Sequence, residues 1–163
     1  MPSTLQPIDF RGEDNYFRNA VINTIHVLKQ WAKENKKTIR NYYDEDVLNP
    51  ITPCFCVICN GSNDELRASQ NLNRVKYTIH MNVEVWYLHA QVTEETKRNE
   101  ITYILWEISD WLKKHVTLNG FVPKLGLRID QVRWQPQVRG SRVLAGGIVV
   151  MDVPKLYRAD ITS

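Results

Sequence analysis

Apolar residues recur along this chain in two rhythms. Phe17, Ala20, Val21, Thr24, Leu28, Trp31 and Ala32 fall within one stripe at the helical period. Asp14 or Asn15 is placed to cap that stripe, and Lys33, Lys36 and Lys37 suit the negative end of its dipole, which predicts a first helix over 15–35. Between Lys76 and His89 the rhythm becomes a strand's: Tyr77, Ile79, Met81, Val83, Val85 and Tyr87 alternate with Thr78, His80, Asn82, Glu84 and Trp86. The predicted strand is far longer than the usual five or six residues, roughly. A second helical stripe follows, Ile101, Ile104, Leu105, Ile108, Trp111, Leu112 and Val116. Acids in Thr93-Glu94-Glu95-Thr96 open that helix, which runs to about His115 before Asn119-Gly120 and Pro123 stop it.

The shorter segments complete the order. Thr38 to Tyr43 is rich in strand formers, 44–53 is an acidic, proline-containing loop, and Cys54 to Cys59 is an apolar run of strand length. Asn60-Gly61-Ser62-Asn63 reads as a turn opening a polar excursion from Gly61 to Arg74. Leu127 to Trp134 and Gly147 to Val153 read as strands joined by a long loop holding Arg139-Gly140-Ser141-Arg142. Residues 1–14 and 154–163 read as terminal arms. The expected fold is one α+β domain over 1–163: a mainly antiparallel sheet of four to five strands, two helices packed on one face, long loops and arms.

Composition narrows the function classes. An apolar fraction of 43% and a charged fraction of 24% over 163 residues are ordinary values for one folded domain. No apolar run approaches the ~18–20 residues of a membrane span, and MPSTLQPIDFRGED lacks the basic start and apolar stretch of a signal peptide. The expected address is cytosolic, with no membrane partner. A net charge of +3 without any block of like charges is mild for a dedicated nucleic-acid binder.

The residues that carry chemistry do not converge. Cys54 and Cys56 share one strand face and Cys59 takes the other, so they lack the second ligand pair of a structural zinc site; His80 is the one conceivable fourth ligand. His26, His80, His89 and His115 show no metal-binding spacing, and His115 suits the C-terminal dipole of its helix. No nucleophile elbow, phosphate loop or dinucleotide fingerprint is present, so no catalytic residue, cofactor or metal is expected. Tyr103 and Trp106 fall outside the second helix's stripe, beside Asp110 and Lys113, and Trp86 sits on the polar face of the long strand. Left-over Tyr and Trp residues are the usual anchors of subunit interfaces, although a neighbouring part of the same chain would cover them equally well.

The parts FRNAVINTIHVLKQWA, RVKYTIHMNVEVWYLHA, NEITYILWEISDWLKKHV, LGLRIDQVRW and GGIVVMDV, in that order from about Tyr16 to Val153, resemble the tail-terminator and neck-protein families of long-tailed bacteriophages. The resemblance implies a structural virion protein at the tail–neck junction, assembled in the host cytoplasm and not an enzyme. It implies a homo-oligomeric ring, usually of six subunits, that caps the tail tube, ends its polymerisation and joins it to the head connector. Implied partners are the tail tube protein, connector or neck proteins, sheath protein where the tail contracts, and DNA crossing the lumen without sequence-specific binding. In such a ring Tyr103, Trp106 and Trp86 are expected at the subunit interface, and Arg139 and Arg142 on a loop facing the lumen or the adjacent ring. Alternatives are another neck or head-completion protein, a metal-dependent nuclease using Glu84 and the Asp44 cluster, and a nucleic-acid-binding module.

Overall fold

The computed structural model describes residues 9–10, 13–67, 74–89, 95–124 and 126–161. Expectations for 1–8, 11–12, the middle of the Gly61–Arg74 excursion, the Thr93 start of the second helix and the last two residues therefore lie outside the described residues. Within the expected N-terminal arm, β1 (Asp9–Phe10) and β2 (Glu13–Asp14) form a small antiparallel pair. Helix α1 (Tyr16–Glu34) starts where the Asn15 side chain accepts the Arg18 amide at 3.1 Å, satisfying one of the helix's orphan donors. It ends as Lys36 turns left-handed at φ 53° and the Lys37 amide returns to the Ala32 carbonyl at 2.8 Å.

The buried stripe of α1 holds Ala20, Val21, Thr24, Leu28, Trp31 and Ala32 as expected, and widens to Asn19, Asn23, Ile25 and Val27. Asn23 and Thr24 donate to the carbonyls of Asn19 and Ala20 at 2.7 Å each, so these polar groups are buried with partners. Phe17 was expected on the stripe but is exposed, because Tyr16 takes the inward position, edge-on to Phe121 and Tyr157.

The main sheet has six strands, not four to five. β3 (Asn41–Tyr43) pairs in parallel with β4 (Cys54–Arg67), and β4 pairs antiparallel with β5 (Arg74–His89). After α2 (Glu95–Lys114), β6 (Arg128–Trp134) and β7 (Gln137–Arg139) both pair antiparallel with β8 (Arg142–Asp160), which in turn lies beside β5. Three expectations are corrected here, each at a residue that the sequence reads as a break in strand pairing. Asn60–Asn63 is no turn: one extra residue between Cys59 and Ser62 makes a β-bulge, with Gly61 at φ 127°, and the strand continues to Arg67. The long loop between the last two strands is itself hairpin, turned tightly at Gly140-Ser141 with Gly140 at φ 60°; the Gln135 amide bonds the Gly146 carbonyl at 3.0 Å across the gap at Pro136. Within the expected C-terminal arm, 154–160 is strand paired to β5. Pro154 is tolerated because β6 stops pairing at Asp152, and no other described strand takes that side of β8.

Both helices pack against one sheet face. Met81, Val83, Val85 and Tyr87 of β5 join the α1 stripe and Ile101, Ile104, Leu105, Ile108 and Leu112 of α2 in one core. Trp31, Phe55 and Tyr87 make successive ring contacts at 6.0 and 5.3 Å, and Trp111 Nε1 donates to the Val27 carbonyl at 3.0 Å, tying α2 to α1. Two glycines admit this packing. A Cβ on Gly147 would stand 2.3 Å from Leu105 Cδ1 and 2.7 Å from the Arg133 carbonyl, and one on Gly146 would meet the Tyr87 carbonyl at 2.2 Å. No helix among the described residues is long and apolar enough to cross a membrane.

The helices cover only part of the sheet. At about 1.5 Å per residue α2 is roughly 30 Å long, whereas β5 at about 3.3 Å per residue spans roughly 50 Å. Burial follows: β4 is buried over Cys54–Val57 and exposed beyond Asn60, and β8 passes from buried Val153 and Pro154 to exposed Leu156, Tyr157 and Arg158. The far halves of β4, β5 and β8 thus project as a three-stranded ribbon. Gly147→Ala is expected to cost about 1–3 kcal/mol by overpacking. Gly146→Ala should cost at least as much, because the atom it meets is backbone; denaturant unfolding with a parental midpoint for both variants would contradict the close approach.

Candidate functional site

Each predicted site residue can now be placed. Tyr103 and Trp106 lie on the outward side of α2, 58% and 68% exposed, so no described part of the chain covers them. Lys37 Nζ stands 5.9 Å from the Tyr103 ring centre, and the neighbouring Glu107 carboxylate pushes the Tyr103 phenol above its ordinary pKa. Trp86 belongs to a different surface. It points to the helix-free face, half-buried against a small cluster of Cys54, Cys56, Leu88 and Leu144, and its Nε1 donates to Glu84 Oε1 at 3.1 Å. The three aromatics therefore do not form one patch.

Arg139 and Arg142 are engaged within the chain. Arg139 is 11% exposed, its guanidinium 2.9 Å from Asp46 Oδ1 and 2.9 Å from Gln137 Oε1. Arg142 donates to the Pro50 carbonyl at 2.8 Å. Together they fasten the acidic 44–53 loop to the Gly140-Ser141 hairpin and close it over the Cys54–Cys56 cluster. A hydrogen bond shared by the two thiols, with Arg139 nearby, lowers the Cys56 pKa and raises that of Cys54; burial pushes Cys59 up.

The residues named for metal or nuclease chemistry are dispersed. Asp44 pairs with Arg18 at 3.2 Å, Asp46 with Arg139, and Glu84 accepts from Asn60 at 3.0 Å and from Trp86. Among the described residues no group of three or more His, Cys, Asp and Glu side chains is arranged to hold a metal. His115 behaves as expected at its helix end, its Nδ1 2.8 Å from the Trp111 carbonyl.

The long strands hold a feature that sequence reading missed. His80 bridges the ribbon, with Nε2 3.1 Å from Glu65 on β4 and Nδ1 3.0 Å from Asp152 on β8; Arg128 of β6 lies 3.9 Å from the same Asp152. Partial burial acts to lower the His80 pKa, but the hydrogen bonds and charges of the two carboxylates outweigh it and raise it above 6.5. The ribbon also has two open edges. β3 pairs with β4 only over Cys54–Cys56, so among the described residues no strand pairs with the outer side of 57–67, nor with that of 153–160 beyond the end of β6. The period of two that runs through Val149, Met151, Val153 and Tyr157 is the one signal that reaches past Pro154 to reveal this.

No protein-family model matches the chain, and no curated protein matches it.

The His80 bridge has a signed pH dependence. A folded-state pKa raised above the unfolded one gives stabilisation that is fully present below about 6.5 and is lost as pH rises through the folded value. The thermal midpoint should fall across that window, and Asp152→Asn should flatten the fall. An equal slope in the variant would show that His80 is not the titrating group.

Proposed function

We propose that this chain is a tail-terminator or neck protein of a tailed bacteriophage: a ring-forming structural protein, six subunits to the ring, that caps the tail tube, ends its growth and joins it to the head connector. The order of elements supports the family, and the projecting ribbon supports the ring. The observation that carries the reading is the pair of open edges on opposite sides of that ribbon. β4 and β8 are each antiparallel to β5, so they run in the same direction. Rotation about an axis along the strands would set the free edge of β8 beside the free edge of a neighbour's β4, in parallel. Two different patches meeting in this way make a heterologous contact, which closes into a ring when the rotation closes.

The exposed aromatics of α2 supply a second contact of the kind that anchors interfaces. In this assembly Arg139 and Arg142 serve by stiffening the hairpin tip and the 44–53 loop into one unit presented to the adjacent ring. The tail tube, the connector and, in a contractile tail, the sheath are the neighbours such a ring meets, and DNA crosses its lumen.

Light scattering of the purified protein, alone and with tail tubes, tests the contact on α2. Trp106→Glu is expected to move the population toward monomer and to weaken tube capping, as loss of an anchor of about 2 kcal/mol requires. An oligomer distribution identical to the parent's would remove this helix face from the interface.

A further inference from the structure

Near its far end the ribbon's helix-free face carries a row of three cations, one step short of the Arg74–Asp160 pair. Arg67 of β4 is directly opposite Lys76 of β5, and Lys76 is directly opposite Arg158 of β8. The bulge at Cys59/Ser62 creates this row. By shifting β4 one position, it turns Asn63, Glu65 and Arg67 onto the face that carries His80, Thr78 and Lys76. Side chains directly opposite across antiparallel strands have Cβ atoms about 5 Å apart, and like charges so placed destabilise a sheet.

No ion pair among the described residues reaches the row. The carboxylate of Glu65 is turned to His80, and that of Asp152 to His80 and Arg128. Arg67 bonds only a neutral partner, the Thr78 hydroxyl, at 3.4 Å. Among the described residues no carboxylate pairs with Arg67, Lys76 or Arg158. The flanking positions on this face are Thr78 and Leu156 on one side and the opposed pair Arg74 and Asp160 on the other, so the row lies in a net-basic stretch with no aromatic platform on which a base could stack.

We infer that the Arg67–Lys76–Arg158 row binds the phosphate backbone of a nucleic acid, by charge and without reading sequence. The row itself needs only the fold. Its place in a lumen rests on the proposed ring, in which the edge-to-edge contact sets Arg158 of one subunit beside Arg67 of the next. The rows then join into a closed basic band whose self-repulsion a threading polyanion neutralises. A continuous phosphate backbone fits such a band better than the scattered carboxylates of a protein surface, and acidic polypeptide is the competing ligand in the test.

The full chain is titrated with fluorescent DNA duplexes of two unrelated sequences, over a range of salt, and with polyglutamate of similar length. Expected are equal affinities for the two duplexes, weaker binding of polyglutamate, and steep loss with salt. Neutralising the row (Arg67→Gln, Lys76→Gln, Arg158→Gln) should weaken duplex binding about tenfold or more and reduce the slope of log affinity against log salt by about 2.7, at roughly 0.9 per phosphate contact. Lys113→Gln with Lys114→Gln, on α2, should leave binding unchanged. The neutralised chain should also unfold no earlier than the parent, since repulsion is relieved; earlier unfolding would make the row structural and overturn the inference. So would parental duplex affinity, or polyglutamate bound as tightly as DNA. Light scattering on the same samples separates the two proposals. Rings without row-dependent duplex binding remove this inference alone, whereas row-dependent binding by protein that stays monomeric even with tail tubes keeps the row and removes the ring.

Discussion

The architecture depends on a mismatch of lengths. β5 is bonded on both sides along its course, to β4 and to β8, and no helix among the described residues is long enough to cover it. An extended residue advances the chain about twice as far as a helical one. Sixteen strand residues therefore outrun a helix of twenty, and the excess must lie outside the core. Sheet and helices settle this by dividing the strands. One half is packed under α1 and α2, and the other half is held mainly by its own ladder and cross-strand side chains, with Tyr16 and Phe121 meeting Tyr157 and Lys155 at its base.

The two halves are stabilised by different physics. In the packed half, close approach decides the sequence: Gly146 and Gly147 remove side chains where the Tyr87 backbone and Leu105 arrive, and Trp31, Phe55 and Tyr87 fill the space between helix and sheet. In the projecting half apolar burial is thin and charge does more of the work. There His80 draws Glu65 and Asp152 together across three strands. Edges that would invite uncontrolled pairing in an ordinary protein are partly blunted, by the bulge at Gly61 on one side and by Pro154 on the other. In the proposed function those edges are the means of assembly, with the bulge and the proline limiting which partner can add.

Much of this was legible in the sequence. The two helical stripes and the alternation of Lys76–His89 stand in the structure nearly as read, because each is set by a long periodic apolar face. The helix-outward position of Tyr103 and Trp106 followed from the same periodicity. What escaped was each place where strand pairing continues through or right up to a turn-forming residue. Gly61 makes a bulge, Gly140 a tight hairpin and the Gly146-Gly147 pair a contact, and Pro154 rests on a free edge; locally all of them resemble breaks. The surroundings of Arg139 and Arg142 escaped for another reason. Their partners Asp46 and Pro50 come from a loop about ninety residues earlier than the hairpin, and no local pattern announces that meeting.

The central claim is that the open edges of the projecting ribbon are where copies of the chain join. Amide hydrogen exchange, compared between dilute monomer and assembled protein, measures this most directly, because a strand edge gains protected amides only when another strand pairs with it. The account predicts fast exchange of the outward-facing, alternate amides of 57–67 and 153–160 in the monomer and their protection on assembly, while the amides bonded between these strands and β5 stay protected throughout. Assembled protein in which both segments still exchange as fast as in the monomer would contradict it.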